Sequence, residues 1–227
     1  MACSISERAK VVFLRAAVPF AVFAVGSFLS VLPGVADTSQ SIPGSTGGPF
    51  AQACAKVICR TASRQLQLRT NQGTVLSVTS ARAPYVDEHS SVSIYAGEAI
   101  ELSFDRNDVT RPKFLRTIEH VDTQGLKGYQ KNAPPVDPSA PAQLSLEFRQ
   151  SADKPSMSLV LRNETGVPLK YDVTMFVPTP DGMKSAHTST CPILPGTMGD
   201  ESWPHPIAML LLTNFRRADM DGAFTCE

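Results

Sequence analysis

The stretch LKYDVTMFV, residues 169–177, decides the fold class, because its apolar and polar side chains alternate along the chain. Leu169, Tyr171, Val173 and Met175 share one face of this stretch if the chain is extended. Successive side chains of a β-strand point to opposite faces, so every second residue lies on the same side. The stretch therefore predicts a strand with one face in a core and the other toward solvent.

The same period of two recurs along most of the chain after residue 54. It predicts further strands at residues 65–69, 74–79, 91–95, 99–104, 144–148 and 157–161. A longer apolar run at 207–215 predicts a central strand, and 223–226 a short closing strand. Helical turns are expected only at 54–63 and 216–220, where no amphipathic pattern of normal helix length is sustained. About ten short strands separated by turn residues indicate an all-β, antiparallel sandwich.

Two turn sequences add detail to this interpretation. The turn NETG at residues 163–166 separates 157–161 from 169–177 and predicts a hairpin between them. A Gly97-Glu98 turn precedes the alternating stretch 99–104. In these turns and strands the chain resembles immunoglobulin-like sandwiches from bacterial envelopes, although no motif names a family. The resemblance implies an immunoglobulin-like β-sandwich.

The first 36 residues have the layout of a secretory signal. Three basic side chains, Arg8, Lys10 and Arg15, precede an uncharged and largely apolar stretch at 16–36 that ends in small residues. This layout predicts an N-terminal hydrophobic helix that is cleaved after Ala36. An uncleaved membrane anchor is the alternative, because the apolar body of the stretch approaches the roughly 20 residues that span a bilayer.

The remaining chain divides into a tether and a sandwich. Residues 37–53, DTSQSIPGSTGGPFAQA, are rich in Gly, Ser, Thr and Pro and predict a flexible tether. Residues 54–227 are expected to form the sandwich. The segment KNAPPVDPSAPAQ at 131–143 carries four prolines. It predicts a long crossover within one domain, and two modules that divide near this segment are the alternative.

The charge balance bears on possible partners. The 21 basic and 21 acidic residues of the whole chain give no net charge. Without residues 1–36, which hold three basic residues and one acidic residue, 18 basic and 20 acidic residues remain, a net charge of −2. Such a surface argues against nucleic acid as a partner, and only an uncleaved N-terminal segment would contact a membrane. The protein is expected to be periplasmic or secreted, or anchored to the inner membrane if residues 1–36 are retained.

The cysteine count fits an exported protein. Four cysteines follow the signal, Cys54, Cys59, Cys191 and Cys226, and an even number in an oxidising compartment predicts disulfides. We favour pairing Cys54 with Cys59 and Cys191 with Cys226, because the second pair would tie the end of the chain to an earlier segment. Pairing between the N-terminal and C-terminal cysteines is the alternative. Redox catalysis is not expected, because the spacing is not C-x-x-C.

No catalytic or cofactor-binding motif emerges from the sequence. It lacks a G-x-S-x-G nucleophile elbow, a phosphate-binding loop after a strand and an H-E-x-x-H zinc motif. We therefore expect neither an enzyme nor a bound cofactor or metal. A copper site is the alternative, because imidazole and thioether groups suit copper; its candidate ligands are His187, His205, Met175, Met183, Met198, Met209 and Met220.

The segment TCPILPGTMGDESWPHPI, residues 190–207, is the most distinctive stretch. It contains the single tryptophan, Trp203, beside Pro204, His205 and Pro206. Trp203 is expected to cap the sandwich core. The alternative is a stiff, exposed binding loop formed by Trp203 and His205, since aromatic groups on rigid loops bind at low entropic cost.

These features predict an exported, non-enzymatic β-sandwich of the bacterial cell envelope that acts as a binding or structural component. A protein partner in the envelope is expected. Two alternatives stay open at this point: a periplasmic copper carrier, and an envelope-assembly subunit joined to its neighbours by pairing of edge strands.

Overall fold

The computed structural model describes residues 40–41, 54–122, 141–219 and 226, all within the unit Asp37–Glu227. Within these ranges every regular element is a strand, so the chain is all-β as predicted. The predicted signal at 1–36, most of the predicted tether at 37–53 and the predicted closing strand at 223–226, apart from Cys226, lie outside the described residues. The strands are β1 (Gln40–Ser41), β2 (Gln65–Arg69), β3 (Val75–Thr79), β4 (Val92–Tyr95), β5 (Glu98–Asp105), β6 (Asp108–Thr117), β7 (Gln143–Gln150), β8 (Met157–Asn163), β9 (Leu169–Thr179), β10 (Gly182–Thr188), β11 (Thr197–Trp203) and β12 (Met209–Arg217).

The described strands form three sheets. A four-stranded sheet has the order β10-β9-β12-β4, and a five-stranded sheet has the order β11-β8-β7-β5-β6. Every pairing in these two sheets is antiparallel. The third sheet, β1-β3-β2, includes a parallel pairing between β1 and β3, so two residues of the expected tether belong to a strand. The predicted central position of the 207–215 run is confirmed, because β12 lies between β9 and β4.

One hydrophobic core is shared by the two larger sheets. Alternate residues of β5, β7 and β8 meet alternate residues of β4, β9 and β12 in a single buried cluster. Phe215 of β12 contacts Phe104 of β5 with ring centroids 5.8 Å apart, and it lies at the same distance from Tyr171 of β9. Burial of each large apolar side chain contributes about 1.5–3 kcal/mol, so this shared core holds the two sheets together.

The hairpin predicted between 157–161 and 169–177 is wrong. β8 pairs with β7 and β11, whereas β9 pairs with β10 and β12 in the other sheet. The turn at 163–166 is therefore a corner where the chain leaves one sheet for the other. This route lets Leu161 and Leu169, both fully buried, enter the same core from different sheets.

Asn163 holds this corner. Its Nδ2 donates hydrogen bonds to the carbonyl oxygens of Val167 and Ile193, both at 2.9 Å. Its Oδ1 accepts from the backbone amide of Thr165 at 3.0 Å and from the Thr165 hydroxyl at 2.7 Å. Gly166 follows with φ of 82°, a left-handed conformation that favours glycine. The amide side chain thus satisfies backbone groups that a hairpin ladder would otherwise have paired.

In the two larger sheets, three strands were not predicted from the sequence, and all three are edge strands. β6, β10 and β11 each pair with one neighbour in the larger sheets, and much of their length is polar and exposed. An edge strand can keep both faces partly in solvent, so it needs no strict alternation. β11 also lies inside the segment 190–207 that was expected to be a loop. The expected helical turns are not formed, since 216–217 end β12 and 54–63 holds turns and a single bridge.

The Pro-rich segment joins strands of the same sheet. β6 precedes it and β7 follows it, and both pair antiparallel with β5, which lies between them. The described strands on both sides of 131–143 therefore contribute to one sheet and one core.

Candidate functional site

A groove of 430 Å³ lies on the face of the four-stranded sheet that points away from the shared core. Its floor is a row of apolar side chains on three adjacent strands. Met209 of β12 is paired in register with Tyr95 of β4 on one side and with Phe176 of β9 on the other. Leu211 extends the floor by one more row beside Ser93. This side of the sheet is therefore apolar at its centre: Tyr95 and Met209 are buried and belong to the hydrophobic cluster, whereas Phe176 and Leu211 are only partly buried.

Two chain segments outside the sheet build the rim of the groove. The first is the loop closed by the Cys54–Cys59 disulfide, which contributes Lys56 and Val57. The second is the stretch 83–91, which contributes the charged side chains of Asp87, Glu88 and His89. A bridge between Cys59 and Pro84 and a hydrogen bond from the Tyr85 amide to the Ile58 carbonyl join these segments.

The turn that carries the acidic side chains is fixed by its own hydrogen bonds. Oδ1 of Asp87 accepts from the backbone amides of His89 at 2.9 Å and Ser91 at 2.8 Å. The Asp87 amide donates to the Ser91 carbonyl at 3.0 Å, and Ser90 adopts a φ of 65°. An aspartate that bonds to the backbone ahead of it is a common way to fix such a turn. Glu88 is left largely exposed, with its Oε1 3.9 Å from Nε2 of His89.

Arg60 anchors the rim to the sheet. Its side chain is 4% exposed and forms a two-point ion pair with Glu98, Nε to Oε1 at 2.7 Å and Nη2 to Oε2 at 2.6 Å. The remaining donors reach the carbonyl oxygens of Ala83, Pro84 and Ser93 and the Ser93 hydroxyl. Every nitrogen of the guanidinium is therefore bonded, and the stretch that begins at 83 is held against β4.

Two tyrosines enclose the same guanidinium. Its central carbon lies 4.3 Å from the ring centre of Tyr85 and 4.4 Å from that of Tyr95. Cations over aromatic faces are attracted by the ring quadrupole, and more strongly where water is excluded. Burial raises the pKa of both tyrosine phenols above their ordinary value. Tyr95 thus links the anchor to the groove, since its side chain also lines the floor.

The disulfides occupy the positions favoured from the sequence. Cys54 is bonded to Cys59 and Cys191 to Cys226. Two disulfides indicate an oxidising, extracytoplasmic environment. Among the residues that the structure describes, none forms a helix long and apolar enough to cross a membrane.

Trp203 was expected to cap the core, and Trp203 and His205, the alternative binding loop, do not lie together on an open surface. Trp203 is only 8% exposed, its Nε1 donates to the Thr188 hydroxyl at 3.2 Å, and its ring meets Phe148 edge-on with centroids 6.3 Å apart. His205 is partly buried just after β11. The indole therefore belongs to the core, and a binding role for this segment stays a prediction.

The residues considered for copper are spread over several strands, and only Met183 and His187 share one, β10. Met175 and Met209 are buried in β9 and β12, and His187 is exposed on edge strand β10, where its Nδ1 contacts the Thr174 hydroxyl at 3.2 Å. Met198 lies on β11, and Met220 lies outside the described residues. Over the described ranges, no group of three histidine, cysteine or carboxylate side chains is arranged to hold a metal.

Sequence reasoning missed the groove, although one signal for it was present. The run Met209 to Leu212 is apolar at every position, so β12 carries apolar side chains on both faces. A strand of this kind in an antiparallel sheet indicates that its second face is also covered or used for binding. The rim segments, in contrast, have no apolar periodicity that would place them over the sheet.

Comparison of the chain with protein-family models, with curated proteins and with solved structures finds no match. The fold defines the class as an all-β, antiparallel, disulfide-bonded protein. Any function must therefore be argued from its own residues.

Proposed function

We propose that this chain is an exported, non-enzymatic binding protein of the bacterial cell envelope, periplasmic or secreted, with an immunoglobulin-like sandwich as its scaffold. Its groove takes the apolar part of a segment of a protein partner. The secretory layout of residues 1–36 and the two disulfides support export. The immunoglobulin-like assignment is supported by the chain route, which passes between the two larger sheets after β4, β8, β10 and β11.

The apolar floor of the groove carries the proposal. The outward face of the five-stranded sheet serves as a comparison, because it carries paired charges instead of an apolar floor. There, Glu101 is paired with Arg116 at 2.7 Å and Glu147 with Arg149 at 2.9 Å. The outward face of the four-stranded sheet instead presents the apolar floor inside a rim.

The size of the groove fits a small recognition site. Its 430 Å³ falls within the roughly 300–1,000 Å³ of typical ligand pockets. Such a volume accommodates one or two large apolar side chains rather than a whole folded surface. The Arg60 anchor and the N-terminal disulfide fix the rim before a partner arrives, which lowers the entropic cost of binding.

The experiment that tests the groove uses Nile red, an uncharged dye whose fluorescence rises in apolar sites. We expect the protein to bind this dye and the variant Leu211→Glu to lose most of the binding, because a carboxylate would then project from the floor. Leu115→Glu is the matched control. Leu115 is a 42% exposed strand residue of β6 that does not line the groove, and its replacement should leave dye binding unchanged.

Two results would contradict the proposal. The first is that the wild-type protein binds no dye. The second is that both glutamate variants reduce binding equally, which would place the dye elsewhere. Circular dichroism and thermal unfolding of each variant distinguish a lost site from a lost fold.

A further inference from the structure

More acidic than basic side chains line the groove, and the acidic ones lie together in one turn. Asp87 and Glu88 are neighbours in one turn, and His89 follows them directly. The other rim segment contributes a single charged side chain, the exposed Lys56. Two carboxylates therefore face the groove from one fixed turn, against one ammonium on a separate segment.

The two arginines beside the rim are directed to Glu98 and not to these carboxylates. The Arg60 guanidinium lies behind the Tyr95 ring and is neutralised by its two-point pair with Glu98. Arg64 is also directed to Glu98, with its Nη2 3.3 Å from Oε1. Neither arginine pairs with Asp87 or Glu88, so the acidic turn keeps its charge at the edge of the apolar floor.

The acidic turn and the apolar floor line the same groove. Asp87 is held by two backbone amides, and the next side chain, Glu88, is 66% exposed beside the groove. Neighbouring residues of an extended segment lie about 3.3 Å apart along the chain. A residue adjacent to a buried apolar side chain would therefore come close to the turn.

We propose, on the basis of the function proposed above, that the partner segment carries a lysine or arginine next to its apolar anchor. The apolar side chain contacts Phe176 and Leu211, the partly buried residues of the floor, and the cation is received by Asp87 and Glu88. The charges thus select among apolar segments: a basic neighbour is attracted, and an acidic neighbour is repelled.

The test compares two synthetic peptides by isothermal titration calorimetry with the full folded chain. Both are short Gly/Ser peptides, one with Leu-Phe-Lys at its centre and the other with Leu-Phe-Glu. We expect the lysine peptide to bind about tenfold more tightly at low salt and the difference to shrink as salt is added, because the carboxylates are near solvent.

The variant Glu88→Lys is expected to remove or reverse this preference. Glu119→Lys is the matched control: it makes the same change of charge at an exposed residue outside the groove, and the preference should persist. The comparison separates a local contact from the net charge of the protein.

Each other outcome overturns the inference in a recognisable way. Equal binding of the two peptides, with both weakened by Leu211→Glu, would leave the groove standing and remove the role of the acidic turn. If neither peptide binds at concentrations up to about 1 mM, the groove does not take such a segment. The Nile red experiment then shows whether it binds apolar groups at all. A preference that Glu88→Lys leaves intact would place the cation elsewhere.

Discussion

Replacing Arg60 by alanine tests whether its buried ion pair supports both the fold and the rim of the groove. The substitution leaves the carboxylate of Glu98, whose side chain is 8% exposed, without its two-point partner. Breaking a buried ion pair by removing one member costs about 3–5 kcal/mol, because the other charge stays buried. Two groups offset part of this loss, the Tyr95 amide at 2.9 Å and the half-exposed Arg64 at 3.3 Å. We therefore expect a loss near the lower limit, about 3 kcal/mol in the free energy of unfolding.

The assay is urea unfolding followed by circular dichroism and by the fluorescence of the single tryptophan. Arg216→Ala is a suitable control, because Arg216 pairs with Asp172 at the similar distance of 2.9 Å but both side chains are exposed, at 37% and 45%. Exposed pairs contribute about 0–1 kcal/mol, so this control should change the unfolding midpoint little. Arg60→Lys should recover only part of the loss, since an ammonium lacks the planar fork that binds Glu98.

An equal effect of Arg60→Ala and Arg216→Ala would refute the reasoning, because the burial of the ion pair would then not matter. If Arg60→Ala lowers stability but leaves Nile red binding unchanged under native conditions, only the proposed role of Arg60 in holding the rim is refuted. That result would show that the rim keeps its place without the carbonyl bonds that Arg60 makes to Ala83 and Pro84.

Three further predictions concern other parts of the molecule. Removing the Cys191–Cys226 disulfide should cost about 4 kcal/mol and removing the N-terminal disulfide about 2 kcal/mol in urea unfolding, since loops closed over 35 and 5 residues restrict the unfolded chain differently. Trp203 should emit at short wavelength and resist acrylamide quenching, and an exposed-type spectrum would contradict its burial. Burial raises the pKa of Glu201 above 4.5, so its contribution to stability is complete below pH 4.5 and is lost as pH rises through the folded-state pKa. Glu201→Gln should remove that part of the pH dependence, and an unchanged pH profile of the unfolding midpoint would argue against it.

Much of the strand content was predictable because alternation is a local property. β2, β4 and β9 each carry buried residues at every second position or nearly so, and the sequence places them within a few residues of their true bounds. β10 could not be found in this way, because most of its side chains are exposed and the strand exists through its pairing with β9. The seven residues of β10 contain no pattern that identifies β9, the strand that stabilises them.

The sequence predicted one strand of the candidate site but not the groove that this strand helps to form. The apolar run at Met209 to Leu212 predicted a central strand, but the prediction did not explain why both faces of that strand are apolar. Arg60 gave no signal at all, because an arginine in a polar stretch is ordinarily solvated. It is buried because Glu98 and two tyrosines, remote along the chain, converge on it in the fold.

The sequence by itself indicated the all-β fold class, the expected export and the favoured cysteine pairs, since these depend on periodicity, composition and spacing. Only the tertiary structure decided which strands are neighbours. The turn at 163–166 shows the reason: its residues favour a turn, but whether the next strand returns to the same sheet depends on burial in a core built from distant segments. The same long-range packing brings Tyr95, Phe176 and Met209 side by side. The groove, and with it the proposed binding function, is therefore a property of the folded chain that no single stretch contains.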